Sequence, residues 1–171
     1  MTRQRVLPQT VYLTALAKKS IVQAAESALP RETGGILLGY RLPSAVVVTK
    51  AHEVVDRDAT PTSYTSDGSL IQAALDELSP GEPPKTGFVG PWHAHPADSP
   101  HSSIDMQALK RITRQYSEPI VSVVAVRTVD GYRLDAHVAR KVRATRVRHL
   151  KAKIIEGFPR QLIEGEQPKA R

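Results

Sequence analysis

Residues 119–139, "PIVSVVAVRTVDGYRLDAHVA", constrain the fold more than any other stretch. A β-branched, apolar run and a second run alternating apolar with polar residues flank Asp130-Gly131, a favoured two-residue hairpin turn. A chain that carries this segment must build a sheet and find a core for its apolar face. A second pair of runs asks for the same thing. "TGGILLGYRL" reads as a buried strand, "SAVVVTKAHEVV" as its hairpin partner, and "YRLPS" as the turn between them.

Helices alternate with these strands. After a short strand at Val11–Leu13, Leu16, Ile21, Val22, Ala25 and Leu29 recur at helical spacing until Pro30 stops them. "GSLIQAALDELSP" predicts a helix with Leu70, Ile71, Ala74 and Leu78 on one face, and "PGEPP" breaks it. "TGFVGPWHAH" predicts a strand, and "SSIDMQALKRITRQY" a helix with Ile104, Leu109 and Ile112 near one face. Residues 56–66 are polar and read as a loop. No internal repeat is visible. This order of mixed elements predicts an α/β fold: a mixed, mostly antiparallel sheet flanked by helices, in one domain of 171 residues.

Composition excludes some classes. There is no cysteine, hence no disulfide and no thiolate ligand, which fits a cytoplasmic protein. Apolar runs such as "IVSVVAV" are too short to span a bilayer, and "MTRQRVLPQT" is followed by no apolar signal region. The net charge of +7 has one source. Residues 1–136 hold 14 Lys and Arg against 14 Asp and Glu, whereas residues 137–171 hold 10 against 3. That segment reads as a solvated helix face or strand edge with a frayed tail, or as a surface for an acidic partner, protein or nucleic acid. Phe158 is its only aromatic residue, which disfavours base stacking.

"PWHAHPADSPHSSIDM", residues 91–106, concentrates the chemistry. On a strand, His93 and His95 point to the same side. Ser102 and Asp105, three apart at the start of a helix, share a face. Ser-x-x-Asp is also the sequence of a capping box, in which serine and acid satisfy each other's backbone N–H groups. A helix beginning soon after His95 can fold back and present Asp105 to the two imidazoles. Two histidines and one carboxylate are an ordinary catalytic zinc set with a fourth position left for water. Such a zinc lowers the pKa of water to about 7 and calls for a proton acceptor nearby. "RETGGILLGY" offers Glu32 at the mouth of a glycine-rich strand, although locally it also reads as an exposed acid after a helix stop.

Taken together, "ETGGILLG", "VGPWHAHP" and "SSID" resemble the JAMM, or JAB/MPN, metalloprotease family in its prokaryotic branch. The family pattern is a glutamate before a glycine-rich strand, then His-x-His-Pro, then Ser-x-x-Asp, and the resemblance spans roughly residues 11–135. It implies that residues 1–136 are a JAMM/MPN-like catalytic domain and that residues 137–171 are a basic C-terminal extension packed on it or trailing from it. It also implies that His93, His95 and Asp105 hold Zn2+, that Glu32 is general base and acid, that Ser102 helps hold the oxyanion, and that Trp92 and Pro96 are structural. One departure stands out. The family has six residues between the proline and the serine; here Ala97 to His101 make five. Shifting the serine to Ser103 would put Met106 at the acid position, so Ser102 with Asp105 is the consistent register. The shorter loop could bring Asp98 or His101 toward the metal, while His52, His137 and His149 fall outside the motif and read as ordinary.

The resemblance implies a zinc peptidase or isopeptidase acting at the C-terminus of ubiquitin-like proteins, in deconjugation or precursor processing. Some relatives occur with bacterial conjugation enzymes in antiviral defence. An extended substrate tail would add as a strand at a sheet edge, with residues 56–85 as one wall of the groove. Two other classes stay open: a non-catalytic MPN-type module that binds a protein, and a nucleic-acid-binding protein using its basic C-terminal segment. Conjugation machinery docked on that segment is a third use for it.

Overall fold

Thr14 ends the first strand and begins the first helix. Its hydroxyl accepts the backbone N–H of Ala17 at 3.2 Å and donates to the carbonyl of Thr49 at 2.9 Å. This N-cap fixes the direction in which helix α1 (Ala15–Ala28) leaves strand β1 (Thr10–Leu13). The computed structural model describes residues 6–83, 85–144 and 146–159. In chain order the remaining elements are β2 (Thr33–Arg41), β3 (Ala45–Glu53), α2 (Gly68–Leu78), a 3-10 turn (Ser79–Gly81), β4 (Gly87–His95), α3 (Ser103–Thr113), β5 (Ile120–Thr128), β6 (Gly131–Lys141) and β7 (Val147–Glu156).

The expected sheet flanked by helices is not what forms. The strands close into a seven-stranded mixed barrel in the order β1-β3-β2-β4-β5-β6-β7, accompanied by three short helices. Four strand pairs are antiparallel and three are parallel: β1 with β3, β4 with β5, and β1 with β7. Closure depends on β7, whose Lys153–Glu156 run parallel to Thr10–Leu13. Within β7, Ala152 is buried and Leu150 and Ile154 pack against the core, while Lys151 and Lys153 face out. The basic stretch thus supplies the second half of β6 and all of β7; residues 160–171 lie outside the described residues.

Alternation along each strand sorts the side chains. The main core joins Val11, Leu13, Leu37, Val46, Val121, Val123 and Val138 to Ala17, Ile21 and Ala25 of α1. Each fully buried Val, Leu or Ile contributes on the order of 1.5–3 kcal/mol relative to exposure. Helix α2 covers the opposite side of β2 through Ala74, Ile36, Leu38 and Val54, and α3 covers β5 and β6 through Leu109, Ile120 and Ala139. Three apolar residues expected on buried helix faces are exposed: Leu16 is 60% accessible, Leu70 48% and Ile104 75%. In α1 the buried position at that turn is Ala17. No described helix is long and apolar enough to cross a membrane.

Candidate metal centre

The end of β4 builds the site. Trp92 and Ala94 are buried in the main core, so the two-residue period sends His93 and His95 to the other side of the sheet. Trp92 is pinned there, its indole N–H donating to the carbonyl of His52 at 3.2 Å. Across the ladders, His93 stands opposite Gly34 of β2 and Val124 of β5, and His95 opposite Val126. A side chain at position 34 would collide with Tyr64 and with Cβ of His93, so glycine keeps the ground beside His93 clear.

Helix α3 then delivers the acid. Nε2 of His93 lies 3.2 Å from Oδ1 of Asp105, and Nε2 of His95 lies 3.6 Å from its Oδ2. The two imidazole Nε2 atoms are 3.0 Å apart. One ligand atom from each of His93, His95 and Asp105 falls within 4.8 Å of the others. Nδ1 of His95 faces the carbonyl of Ser99 at 2.5 Å; a proton held there leaves Nε2 with its lone pair directed at the cluster. Two nitrogens and a carboxylate aimed at one point are a donor set that fits zinc.

Glu32 comes from the residue before β2. Its backbone N–H donates to the carbonyl of Thr60 at 2.8 Å, and its Oε1 sits 3.8 Å from Nε2 of His95. Burial pushes its carboxyl above the ordinary range, Asp105 adds to the rise, and His95 and His93 oppose it. Burial also pushes the Asp105 carboxyl up, but the hydrogen bond and charge of His93 and the contacts with Ser102 outweigh it. The carboxyl is therefore held well below the usual range.

The other histidines and acids divide differently. Asp98 is exposed and accepts from Arg133 at 3.3 Å, away from the triad. His101 also turns away: its Nε2 lies 3.2 Å from Oγ of Ser122, and its ring lies 4.4 Å from that of His137, tilted to it by 55°. Neither joins the three ligands. Reading the sequence missed Ser99 and Thr60, which act through backbone carbonyls and so leave no trace in residue type.

A profile of the family described as prokaryotic homologs of the JAB domain matches residues 15–144, more than half of the chain. Among solved structures, the solution structure of protein DSY2949 from Desulfitobacterium hafniense is similar in fold, with a TM-score of 0.66. It is 18% identical, over 87% of this chain and 94% of that one. A comparison with curated proteins found no match. The matched span contains Glu32, His93, His95, Ser102 and Asp105, and the chain belongs to the family of prokaryotic homologues of the JAB domain.

Proposed function

We propose that this protein is a zinc-dependent peptidase or isopeptidase that hydrolyses the amide bond at the C-terminus of a ubiquitin-like protein, serving deconjugation or precursor processing in a bacterial conjugation or antiviral-defence setting. One observation carries the reading: His93, His95 and Asp105 converge on one point with the Glu32 carboxylate 3.8 Å from a ligand nitrogen.

Zinc held by these three residues supplies Lewis acidity for the scissile carbonyl and for water. Glu32 takes the proton from the attacking water and returns it to the leaving amine; a carboxyl raised by burial suits both halves of that task. Ser102 uses its oxygen to accept from the Asp105 backbone N–H, so its own hydroxyl hydrogen is free to donate to the oxyanion. His95 keeps its orientation through Ser99. A cleft of about 600 Å³ between β3 and α2, lined by Val54, Asp56, Asp67, Leu70 and Glu77, supports a path for an extended tail. It also takes in Glu53, whose carboxylate accepts the Thr33 hydroxyl at 2.5 Å, one residue from Glu32. The cationic excess on β6 and β7 supports an acidic partner at that face, with Lys151 and Lys153 exposed.

The test is metal content and cleavage, measured together. Purified protein should hold zinc at His93 and His95, lose one equivalent of zinc in the His93→Ala, His95→Ala variant, and cleave an amide-linked extension from a ubiquitin-like C-terminus in a chelator-sensitive way. Zinc binding with no cleavage of any such fusion would remove the peptidase reading. No zinc binding would remove the metal centre with it.

A further inference from the structure

We infer that His101 and His137 form a second transition-metal site, outside the triad, that fastens the loop before α3 to strand β6. The two rings lie 4.4 Å apart with 55° between their planes. Both Nδ1 atoms are buried, and neither has a hydrogen-bond partner among the described residues. Buried polar nitrogens are nearly always satisfied, so two unsatisfied ones on facing rings ask for a shared ligand. A cation bound by both lone pairs satisfies them at once. Two nitrogens on one zinc stand roughly 3.3 Å apart at ordinary bond lengths, a separation that rings this close can supply.

The surroundings set the ligand class. Ser122 stands opposite His137 across the β5–β6 ladder and meets Nε2 of His101 at 3.2 Å. When that serine oxygen accepts the Nε2 proton, the lone pair of His101 lies on Nδ1, the free atom. Imidazole nitrogen favours zinc, cobalt, nickel or copper over magnesium or calcium. Asp135 lies on the same face of β6 but is occupied by Arg133 and Lys151, so it is not counted as a ligand. The ring of His149 lies 6.3 Å beyond that of His137. His93 approaches His101 no closer than a ring separation of 6.2 Å, and its Nε2 is directed at Asp105 and His95. The two sites are therefore neighbours with separate ligands.

The placement has a consequence. His101 directly precedes Ser102, the N-cap of α3. A cation across His101 and His137 ties the five-residue loop to the barrel wall and holds the start of the helix that carries Asp105.

Metal-stripped full-length protein is titrated with Zn2+ or Co2+, and bound metal per chain is counted after removal of excess. Two equivalents are expected for the wild type, one for His101→Ala, His137→Ala, and one for His93→Ala, His95→Ala. In the latter background, Zn2+ should still raise the thermal midpoint, and a further His137→Asn should abolish that rise. Retention of one equivalent by the His101→Ala, His137→Ala protein shows that it is folded. A wild type that saturates at one equivalent overturns the inference, as does a second equivalent that survives loss of His101 and His137. Neither result touches the peptidase reading, because the triad is counted separately.

Discussion

Ser102 and Asp105 hold each other. The backbone N–H of Ser102 donates to Oδ2 of Asp105 at 2.6 Å, and the N–H of Asp105 donates to Oγ of Ser102 at 3.2 Å. This is a complete capping box, yet Oδ1 of the same carboxylate faces His93 at 3.2 Å. Helix cap and candidate metal ligand are thus one side chain, with Oδ2 taking the Ser102 N–H while Oδ1 faces His93. The cap sets the rotamer that the ligand needs.

Asp105→Asn separates the two roles. An amide oxygen can still accept from the Ser102 N–H, so the helix start should lose no more than about 1 kcal/mol. The negative charge between His93 and His95 is gone, and zinc affinity should fall by more than about tenfold. A metal titration beside a urea melt reads both. Unchanged affinity would show that Asp105 is a cap and nothing more.

Glu32→Gln should leave the metal in place, since its carboxylate approaches His95 at 3.8 Å without belonging to the three-ligand group. Turnover should drop by about 10²–10⁴-fold, the usual contribution of a general base. Zinc content and initial rate on the same sample decide it. Substantial residual turnover would move the base elsewhere.

Gly90→Ala should cost more than ordinary overpacking, about 3 kcal/mol or beyond. A Cβ there would stand 1.7 Å from the Val121 carbonyl, at a φ of +154°. The clash would pry β4 from β5 two residues before Trp92. Gly81→Ala, with nothing within 4 Å, should stay within about 0.5 kcal/mol and serves as the control. Equal denaturation midpoints for the two variants would contradict the packing at Gly90.

The triad was legible because each half of it is local: two residues on one strand, one in the first turn of a helix. Ile21 and Ala25 of α1 were legible for the same reason. Barrel closure was not. Lys151 and Lys153 alternate with Leu150, Ala152 and Ile154, a two-residue period that the surrounding charge masks. Its partner β1 is four residues long and lies at the other end of the chain, so no local period announces the pairing. The exposure of Ile104 was hidden too. It sits beside Asp105 in the first turn of α3, before Leu109 reaches the core.

Acid should weaken the metal-free protein from about pH 6.5 downward. His101 is pulled from 6.5 down to about 3 by burial first, then by His137 and His93. His137 is lowered as well, by burial and then by His149 and Lys151. In the unfolded chain both protonate near the ordinary histidine value, about 6.5. Below that pH the unfolded state binds protons that the folded state refuses, so it gains on acidification. The stability is whole above about pH 6.5 and is lost progressively as pH falls toward about 3. Asp105 acts in the same direction at lower pH, because its depressed carboxyl stabilises the fold above the ordinary 3.8 and loses that effect on protonation. Urea midpoints of chelator-treated protein, taken from about pH 7 to about pH 4, should fall steeply for the wild type and less steeply for His101→Gln. Parallel slopes would mean that His101 takes up its proton without opening the barrel wall, and that its burial against His137 is looser than the 4.4 Å ring separation implies.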